Sequence, residues 1–362
     1  MSHLHSVAFM KILRFSCLIL LCSFSLGAQA IKVPGLYEVE VPVLDQSDKA
    51  RREGLETAFR MVMIKLTGDR QAAGRRSLQP LMQRAQDYLQ QYRYREVSKT
   101  VEIEGEEPLQ VSETRLWLKF DEDNLNRALR NLGVPVWGNE RPSTLVWLAV
   151  SDESGRYLTG LEEGGDYIEP IERRAKQRGI VLLYPLLDLD DSNNIRASDI
   201  WGGFQRPILQ ASSRYQADAV LTAAIEAPVP GIWEARWTAY IDNQQANWTS
   251  ESDVLEAVLD EGVDRLADIL AAQFASRAQI GESRQIRLSV ADVFTLDQYA
   301  RVLDYLSSLN SVADVEVVQV ENGRVEFVLQ AHGGELAVNQ AIELGRVLDG
   351  IGANSNHYRL LP

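Results

Sequence analysis

The sequence predicts an α/β protein of the α+β kind, built from three small two-layer α/β sandwich modules, the last of them ferredoxin-like. Strand-like and helix-like runs alternate along the chain, a pattern typical of sheets covered by helices. Near the C-terminus the order β-α-β-β-α-β falls within one short stretch, which is the ferredoxin-like arrangement. The predicted division is a signal peptide (1–30), an N-terminal α+β domain (31–137), a middle α/β domain (142–278) and a C-terminal ferredoxin-like domain (284–362).

Residues 1–30 have the three parts of a secretory signal peptide. Lys11 and Arg14 form a basic region, and residues 15–26 form an apolar run too short to span a membrane. Ala28-Gln29-Ala30 then supplies the small residues that precede a cleavage site. An uncleaved membrane anchor is the alternative. We expect cleavage after Ala30, a periplasmic location and no transmembrane segment in the mature chain.

The composition of the mature chain disfavours several kinds of chemistry. Both cysteines, Cys17 and Cys22, lie in the signal peptide, so we expect no disulfide, thiolate nucleophile or cysteine zinc site. Only His332 and His357 remain, without ligand-like spacing, which argues against a Ser-His-Asp triad. Removal of residues 1–30 changes the net charge from −14 to −16. A chain this acidic repels phosphate groups, so nucleic-acid binding is disfavoured. We therefore expect no cofactor and no nucleic-acid partner.

The N-terminal elements follow from local patterns. Residues 36–43 alternate between apolar and acidic side chains, as a strand does. A helix is predicted from Ser47, which can cap it, to Gly68, which can end it, since its apolar residues repeat every three or four positions. The remaining predictions are a helix at 77–91, strands at 92–101 and 109–120 joined by a turn at 105–108, and a helix at 121–131.

Residues 134–142 contain prolines and a glycine between periodic segments, and they are predicted to form a domain boundary. In the middle segment the predicted strands are 144–150, 180–187, 217–226 and 233–241, and the predicted helices are 167–178, 206–215 and 251–277. In the C-terminal segment the predicted strands are 284–293, 313–320, 324–330 and 357–361, and the predicted helices are 295–309 and 334–348.

The stretch LLDLDDSNNIRASDIW, residues 186–201, raises the question of a metal site. Five side chains follow positions 1, 3, 5, 7 and 12 of a calcium loop, namely Asp188, Asp190, Ser192, Asn194 and Asp199. However, Asn193 stands where such a loop needs glycine, and a predicted strand precedes it where an EF-hand has a helix. We favour a solvated turn in which Ser198 or Asp199 caps the next helix, and weak calcium binding is the alternative.

Three further residues are candidate contacts for a partner or ligand. Trp201, next to Gly202-Gly203, is predicted to be the most exposed tryptophan, whereas the alternation of Trp233 and Trp237 indicates core packing of a sheet face. Arg214 and Tyr215 end a helical segment, and we expect them to bind Asp218 or a helix carboxyl end.

Several short motifs resemble those of a known family. They are Gly35-Leu36-Tyr37, Val41-Pro42-Val43, Leu66-Thr67-Gly68, Arg141-Pro142, Trp147-Leu148-Ala149, Leu186-Leu187-Asp188, Asp199-Ile200-Trp201-Gly202, Ala211-Ser212 and Arg214-Tyr215-Gln216-Ala217-Asp218. Because of these motifs, the chain resembles a bacterial exported family called domain of unknown function 2066, and the resemblance extends from about residue 33 to 280. The resemblance implies an envelope protein of Gram-negative bacteria and carries over no catalytic residues.

Together these observations predict a periplasmic, non-enzymatic protein-interaction or assembly module whose partner is an envelope protein. Export, an acidic exterior and the scarcity of nucleophiles and histidines support this hypothesis. One alternative is a cell-wall-active hydrolase that uses acidic residues near 188–199, such as the pair Asp190 and Asp199. Weak calcium binding at the acidic stretch is the other. We assign no catalytic residue.

Overall fold

The computed structural model describes residues 33–101, 109–275, 284–352 and 356–362. It confirms the predicted fold class, since three separate sheets of three, six and five strands are covered by helices. Each of the three predicted segments contains one sheet, and the domain limits themselves stay a prediction. The predicted signal peptide and the turn at 105–108 lie outside the described residues.

The N-terminal sheet has the order β1-β3-β2 and is antiparallel. Its strands are β1 (Glu38–Pro42), β2 (Leu89–Val101) and β3 (Leu109–Phe120). Helix α1 (Asp48–Thr67) begins where the Ser47 hydroxyl accepts a hydrogen bond from the Ala50 amide, and it ends at Gly68, whose φ of 68° is left-handed. Both ends were predicted. Asp121 caps the short helix α3 (Glu122–Asn131), as expected.

The predicted helix at 77–91 was wrong. Two 3₁₀ turns, Arg76–Leu78 and Ala85–Tyr88, flank a four-residue helix α2 (Gln79–Met82), and Arg84 at φ −115° interrupts the helical backbone. Strand β2 then begins at Leu89, which pairs with Phe120. The apolar side chains of the stretch are still buried. Pairing with β3 and burial therefore outweigh the local helix preference.

The middle sheet has the order β5-β4-β7-β8-β9, and β6 also pairs with β4. Its strands are β4 (Ser143–Asp152), β5 (Gly155–Thr159), β6 (Val181–Leu183), β7 (Ala219–Val229), β8 (Ile232–Ile241) and β9 (Gln244–Ser252). Helices α4 (Gly165–Arg178) and α8 (Leu255–Phe274) cover one face. The other face is partly covered by α6 (Ala197–Trp201) and α7 (Gln205–Ser212), and α5 (Leu189–Asn194) precedes them in the chain.

Several predictions for the middle segment need correction. Strands β5 and β9 were missed, because β9 is polar at most positions and lacks a clear apolar alternation. The helix predicted at 251–277 begins only at Leu255, since β9 continues to Ser252. The strand predicted at 180–187 is limited to β6, because the chain turns away and reaches a left-handed conformation at Leu187 (φ 52°).

The C-terminal sheet has the order β11-β12-β10-β14-β13. Its elements are β10 (Arg284–Ala291), α9 (Leu296–Ser308), β11 (Val312–Glu321), β12 (Arg324–Ala331), α10 (Gly334–Gly345), β13 (Leu348–Gly350) and β14 (His357–Leu360). The predicted β-α-β-β-α-β order is present, with the short β13 added before the last strand. Thr295 caps α9 through a reciprocal pair of hydrogen bonds with Gln298.

The residues predicted to form a boundary, 134–142, are packed into the protein. Val134, Val136, Trp137 and Arg141 are all buried. The C-terminal segment also contacts the middle one, because Arg346 Nη2 lies 3.0 Å from Asp218 Oδ1. In the part of the chain that the structure describes, each helix is too short or too polar to cross a lipid bilayer.

Candidate functional site

The structure brings the predicted acidic stretch together with Arg214 and Tyr215. Asp188 caps α5 by accepting a hydrogen bond from the Asp191 amide, and it also accepts two from Arg214, at 2.8 and 2.9 Å. Asp191 is buried, and its Oδ2 accepts a hydrogen bond of 2.5 Å from the Tyr215 hydroxyl. That hydroxyl in turn accepts from the Leu186 amide at 2.9 Å. These contacts hold residues 186–191 against the 3₁₀ turn Ser213–Tyr215 that follows α7.

The five predicted metal ligands are engaged in helix caps, ion pairs or hydrogen bonds to backbone carbonyl oxygens. Arg214 Nη1 lies 3.3 Å from Asp190 Oδ2, beside the Asp188 contact, so a cation is already present among these carboxylates. The Ser192 hydroxyl donates to a backbone carbonyl, as does the Asn194 amide, and Asp199 accepts from the Arg196 amide at 2.8 Å. Within the described ranges, no group of three or more acidic or histidine side chains has the arrangement of a metal site. Calcium binding stays a prediction.

Ionisation in this cluster favours a structural role. The hydrogen bonds from Arg214 lower the pKa of Asp188 to about 2, so its carboxylate stays charged at neutral pH. Burial, with the hydrogen bond to Asp191, raises the pKa of Tyr215 to about 12, so its hydroxyl stays protonated and donates. A permanently charged acid and a permanently neutral phenol are poorly suited to proton transfer near pH 7.

The predicted contact of Arg214 or Tyr215 with Asp218 was wrong. Asp218 Oδ2 instead accepts hydrogen bonds from the amide and the hydroxyl of Ser143, both at 2.7 Å. The chain turns at Gln216, whose φ of 51° is left-handed, before it enters β7. Asp218 is therefore held at the start of β4, and Arg214 is left to bind the acidic stretch.

Trp201, the other predicted contact residue, lies against two arginines that the sequence did not point to. The ring centroid is 4.1 Å from Cζ of Arg156 on β5 and 4.7 Å from Cζ of Arg236 on β8. Trp201 is half-buried and both arginines are exposed. Among the described residues, neither guanidinium group forms an ion pair or a hydrogen bond, although the backbones of both arginines pair within the sheet. Two cations without ion pairs among the described residues thus lie against one aromatic ring.

A cleft of about 380 Å³ opens beside Trp201 on the face of the middle sheet that α6 covers in part. We call it the Trp201 cleft; Trp201, Arg236, Thr238, Asn247 and Thr249 line it, and Arg156 lies beside it against the Trp201 ring. Thr238 donates a hydrogen bond of 2.9 Å to Asn247 Oδ1, which orients the amide. The cleft combines an aromatic ring, two guanidinium groups and neutral polar groups.

The other tryptophans of the middle sheet confirm the predicted core packing. Trp237 and Trp147 are buried, and Trp237 stacks on Trp248 at a centroid distance of 6.2 Å. Trp233 packs partly buried against the same core. Sequence reasoning found Trp201 but missed Arg156 and Arg236, since β5 was not predicted and both residues are distant along the chain.

The comparison with protein families corrects the suggested resemblance. A family described as Domain of unknown function (DUF8605) matches residues 30–138. It is a different family from domain of unknown function 2066, whose resemblance rested on scattered short motifs. The match covers the N-terminal segment and leaves the Trp201 cleft outside it. No significant match exists among curated proteins.

Two solved structures show limited likeness to this chain. One is the Protein Y N-terminal domain of Thermus thermophilus, with 9% identity, 36% of this chain and 94% of that chain covered, and a TM-score of 0.18. The other is a competence or damage-inducible protein from Enterobacter asburiae, with 13% identity, 42% of this chain and 94% of that chain covered, and a TM-score of 0.23. At these TM-scores, neither likeness supports an inference about fold or function.

Proposed function

We propose that the mature chain is a non-enzymatic protein-interaction module of the bacterial cell envelope, located in the periplasm. We propose further that its Trp201 cleft binds an acidic segment of an envelope protein. The observation that carries the proposal is the placement of Arg156 and Arg236 against the Trp201 ring, where neither guanidinium group has an acidic partner among the residues that the structure describes. The predicted signal peptide supports the location.

The chemistry of the cleft suits a protein partner. Tryptophan and arginine are the side chains that most often dominate binding energy at protein interfaces. Stacking on Trp201 restricts both guanidinium groups before binding, so less conformational entropy is lost when they meet a ligand. Each guanidinium presents a planar fork that matches a carboxylate. A segment that carries two nearby carboxylates is therefore complementary to the cleft.

The charge of the whole protein narrows the choice of partner. With a net charge of −16 after cleavage, a long polyanion such as nucleic acid is repelled by most of the surface. A short acidic segment is exposed mainly to the two arginines, because salt screens charges more than about 8 Å apart at physiological ionic strength. A short acidic peptide is therefore favoured over nucleic acid.

Site-specific photo-crosslinking in living cells tests the proposal. A photo-reactive amino acid in place of the exposed Asn247 lies within the cleft. We expect it to capture a discrete envelope protein, and we expect Trp201→Ala and the double variant Arg156→Gln/Arg236→Gln to abolish capture. Arg60→Gln, which changes an exposed arginine on α1, is the matched control and should leave capture intact.

A binding assay with defined probes completes the test. The purified mature chain should bind a short glutamate-rich peptide through the cleft, and it should not bind the peptide with glutamine in place of glutamate. A single-stranded oligonucleotide is the competing probe. Capture that persists in the cleft variants, or an oligonucleotide that binds more tightly than the acidic peptide, would reject the proposal.

Neither alternative hypothesis gains support from a specific contact. Asp190 is exposed beside Arg214, and Asp199 is engaged in a helix cap, so the pair suggested for hydrolysis serves local structure. Turnover of peptidoglycan by the wild type, lost in Asp190→Asn or Asp199→Asn, would revive the hydrolase hypothesis. Heat release on calcium addition, together with a higher melting temperature, would revive the calcium hypothesis.

A further inference from the structure

The two longest edge strands in the described part of the chain are β2, with 13 residues, and β11, with 10. Strand β2 ends the N-terminal sheet beside β3, and β11 ends the C-terminal sheet beside β12. The outer side of such a strand presents a row of backbone N–H and C=O groups, which a strand of another molecule can bind. We call these two sides the β2 edge and the β11 edge. Their side chains decide which strand fits.

The two edges carry opposite charges on the sheet face that points away from the helices. Arg93 and Arg95 are exposed on β2, and Arg95 has one long contact, of 3.9 Å, with Glu40. Asp314 and Glu316 are exposed on β11, and within the described residues neither carboxylate has an ion pair or a hydrogen bond. In each strand the two charges stand two positions apart, so they share one face.

The helix side of each edge strand is apolar. On β2, Tyr94 packs partly buried against the N-terminal core, and Tyr92, on the same face, is 43% exposed. On β11, Val315 and Val317 pack partly buried against the core that α9 covers. Pairing of the two edges would therefore place apolar side chains together on the helix side and opposite charges together on the other side.

The backbone pattern of β2 shows which of its groups are unpaired. The Val43 amide donates to the Thr114 carbonyl oxygen at 2.9 Å, so the even-numbered residues of β3 direct their backbone groups toward β1. The odd-numbered residues of β3 therefore bind β2, where they lie opposite Arg93 and Arg95. The even-numbered residues of β2, Tyr94 among them, direct their N–H and C=O groups to the β2 edge.

The same reasoning applies to β11. The Ser289 amide donates to the Asn356 carbonyl oxygen at 2.9 Å, so the odd-numbered residues of β10 point toward β14 and the even-numbered ones bind β12. By register, the even-numbered residues of β12 then bind β11, where they lie opposite Asp314 and Glu316. Val315 and the other odd-numbered residue beside it direct their backbone groups to the β11 edge.

We propose that copies of this chain associate head to tail, with the β2 edge of one copy pairing antiparallel with the β11 edge of the next. The register that matches both edges opposes four pairs: Tyr92 with Val317, Arg93 with Glu316, Tyr94 with Val315, and Arg95 with Asp314. The tyrosine–valine pairs exchange backbone hydrogen bonds, because both members have unpaired backbone groups. The arginine–carboxylate pairs take the non-hydrogen-bonded positions, where opposed Cβ atoms are closest, about 4.5 Å apart.

Pairing of either edge with itself is disfavoured. Two β2 edges centred on Tyr94 would place Arg93 opposite Arg95, and two β11 edges centred on Val315 would place Asp314 opposite Glu316. Like charges directly opposite each other destabilise a strand pair. Pairing of two different edges leaves one free edge at each end, so the assembly extends or closes into a ring. Neither strand lines the Trp201 cleft, so the assembly is independent of the function proposed above.

Sedimentation velocity of the purified mature chain tests the pairing. The sedimentation coefficient of the wild type should rise with protein concentration. Arg93→Glu/Arg95→Glu and Asp314→Arg/Glu316→Arg each place like charges across the contact, and each should weaken association at least roughly tenfold. The variant that combines all four substitutions restores opposite charges, with the net charge of the wild type, and should associate again.

A matched control separates the contact from the overall charge. Arg52→Glu/Arg60→Glu changes two exposed arginines of α1, and it alters the net charge as much as Arg93→Glu/Arg95→Glu does. We expect this variant to associate as the wild type does. Circular dichroism of each variant establishes that it is folded.

Disulfide cross-linking identifies the two edges directly, because both cysteines of the sequence lie in the predicted signal peptide. Tyr92→Cys and Val317→Cys keep all four charges and lie opposite each other in the proposed register. Each chain carries one cysteine, so a disulfide between the two variants joins two copies. We expect a mixture of them to form this mixed dimer on mild oxidation. Gln244→Cys, exposed on the edge strand β9, is the control partner for Tyr92→Cys and should cross-link far less.

Several results would overturn the inference. One is a wild type whose sedimentation coefficient does not change with concentration, and another is undiminished association in either charge-reversal variant. A folded four-substitution variant that stays monomeric would also contradict the register. Equal cross-linking of Tyr92→Cys with Val317→Cys and with Gln244→Cys would show that the two edges do not meet. Capture of an acidic strand of another protein by β2, with the wild type monomeric, would assign the β2 edge to that partner.

Discussion

Arg141 donates a hydrogen bond of 2.7 Å from Nη2 to the carbonyl oxygen of Lys65, although 76 positions separate the two residues. The same guanidinium donates to the carbonyl oxygens of Trp137, Gly138 and Gly179, at 2.9, 2.9 and 2.7 Å. It also lies 4.1 Å from the Trp137 ring centroid. One buried arginine therefore joins the end of α1, the segment 134–142 and the end of α4.

Arg141→Lys should strongly destabilise the protein. A lysine ammonium cannot reproduce the planar array of donors, so several buried carbonyl groups lose their partners, each at about 1–3 kcal/mol. We expect the free energy of unfolding to fall by about 3 kcal/mol or more, measured by urea denaturation. Arg60→Gln on the exposed face of α1 should stay within about 0.5 kcal/mol of the wild type. A loss below about 1 kcal/mol in Arg141→Lys would contradict the role assigned to this residue.

Gly262→Ala should also destabilise the protein, although alanine favours helices. A Cβ at this position of α8 would lie 2.1 Å from Trp237 Cζ2. The indole has little freedom to move, because it is 1% exposed and its Nε1 donates to Ser250 Oγ at 2.8 Å. Overpacking costs about 1–3 kcal/mol or more and outweighs the gain in helix propensity of about 1 kcal/mol.

Thermal unfolding measures this effect. Gly165→Ala at the start of α4 is the matched control, since its Cβ meets no atom within 4 Å. We expect Gly262→Ala to lower the melting temperature and Gly165→Ala to leave it unchanged or slightly higher. Equal melting temperatures for the two variants would mean that the Trp237 contact is not tight.

Lys65 should make stability depend on pH in the alkaline range. Burial, followed by the charges of Lys176 and Arg141, lowers the pKa of Lys65 from its ordinary 10.5 to about 8. Between these values the unfolded chain holds a proton that the folded chain has lost. Stability from this group therefore rises with pH from 8 to 10.5, because the unfolded state binds more protons there.

Urea denaturation of the wild type and Lys65→Met across this pH range isolates the contribution. The wild type should gain stability relative to the variant as the pH rises. Lys49→Met is the control, because the Lys49 side chain is 81% exposed. The difference in free energy of unfolding between this variant and the wild type should not change with pH. If the difference in free energy of unfolding between the wild type and Lys65→Met stays constant with pH, or changes in the opposite direction, the lowered pKa of Lys65 is contradicted.

The elements that were predicted well are those whose ends are encoded locally. Ser47 and Gly68 bound α1, and Thr295 with Gln298 starts α9, because caps satisfy backbone groups within a few residues of the chain. Strand β9 was missed because its pairing with β8, rather than its own apolar pattern, defines it. The helix predicted at 77–91 was wrong because long-range pairing of Leu89 competes with local propensity.

The candidate site was predicted only in part. The sequence pointed to Trp201 because two glycines follow it. Its two arginine contacts, however, come from β5 and β8, which are distant in the chain. The acidic stretch was recognised, yet the position of Arg214 among its carboxylates follows from the fold alone. The match between the β2 edge and the β11 edge had no local pattern at all, since strand order and register decide which backbone groups are unpaired.

By itself, the sequence determined the fold class and the positions of the capped helices, because hydrophobic periodicity and capping act over a few residues. Tertiary structure alone decided which charges meet, which strands lie at the edges of the sheets and whether residues 134–142 are exposed or buried. These properties depend on contacts such as Arg141 with Lys65 or Arg236 with Trp201, whose members are far apart in the chain. Such contacts form only when the sheets and helices pack, so local patterns do not encode them.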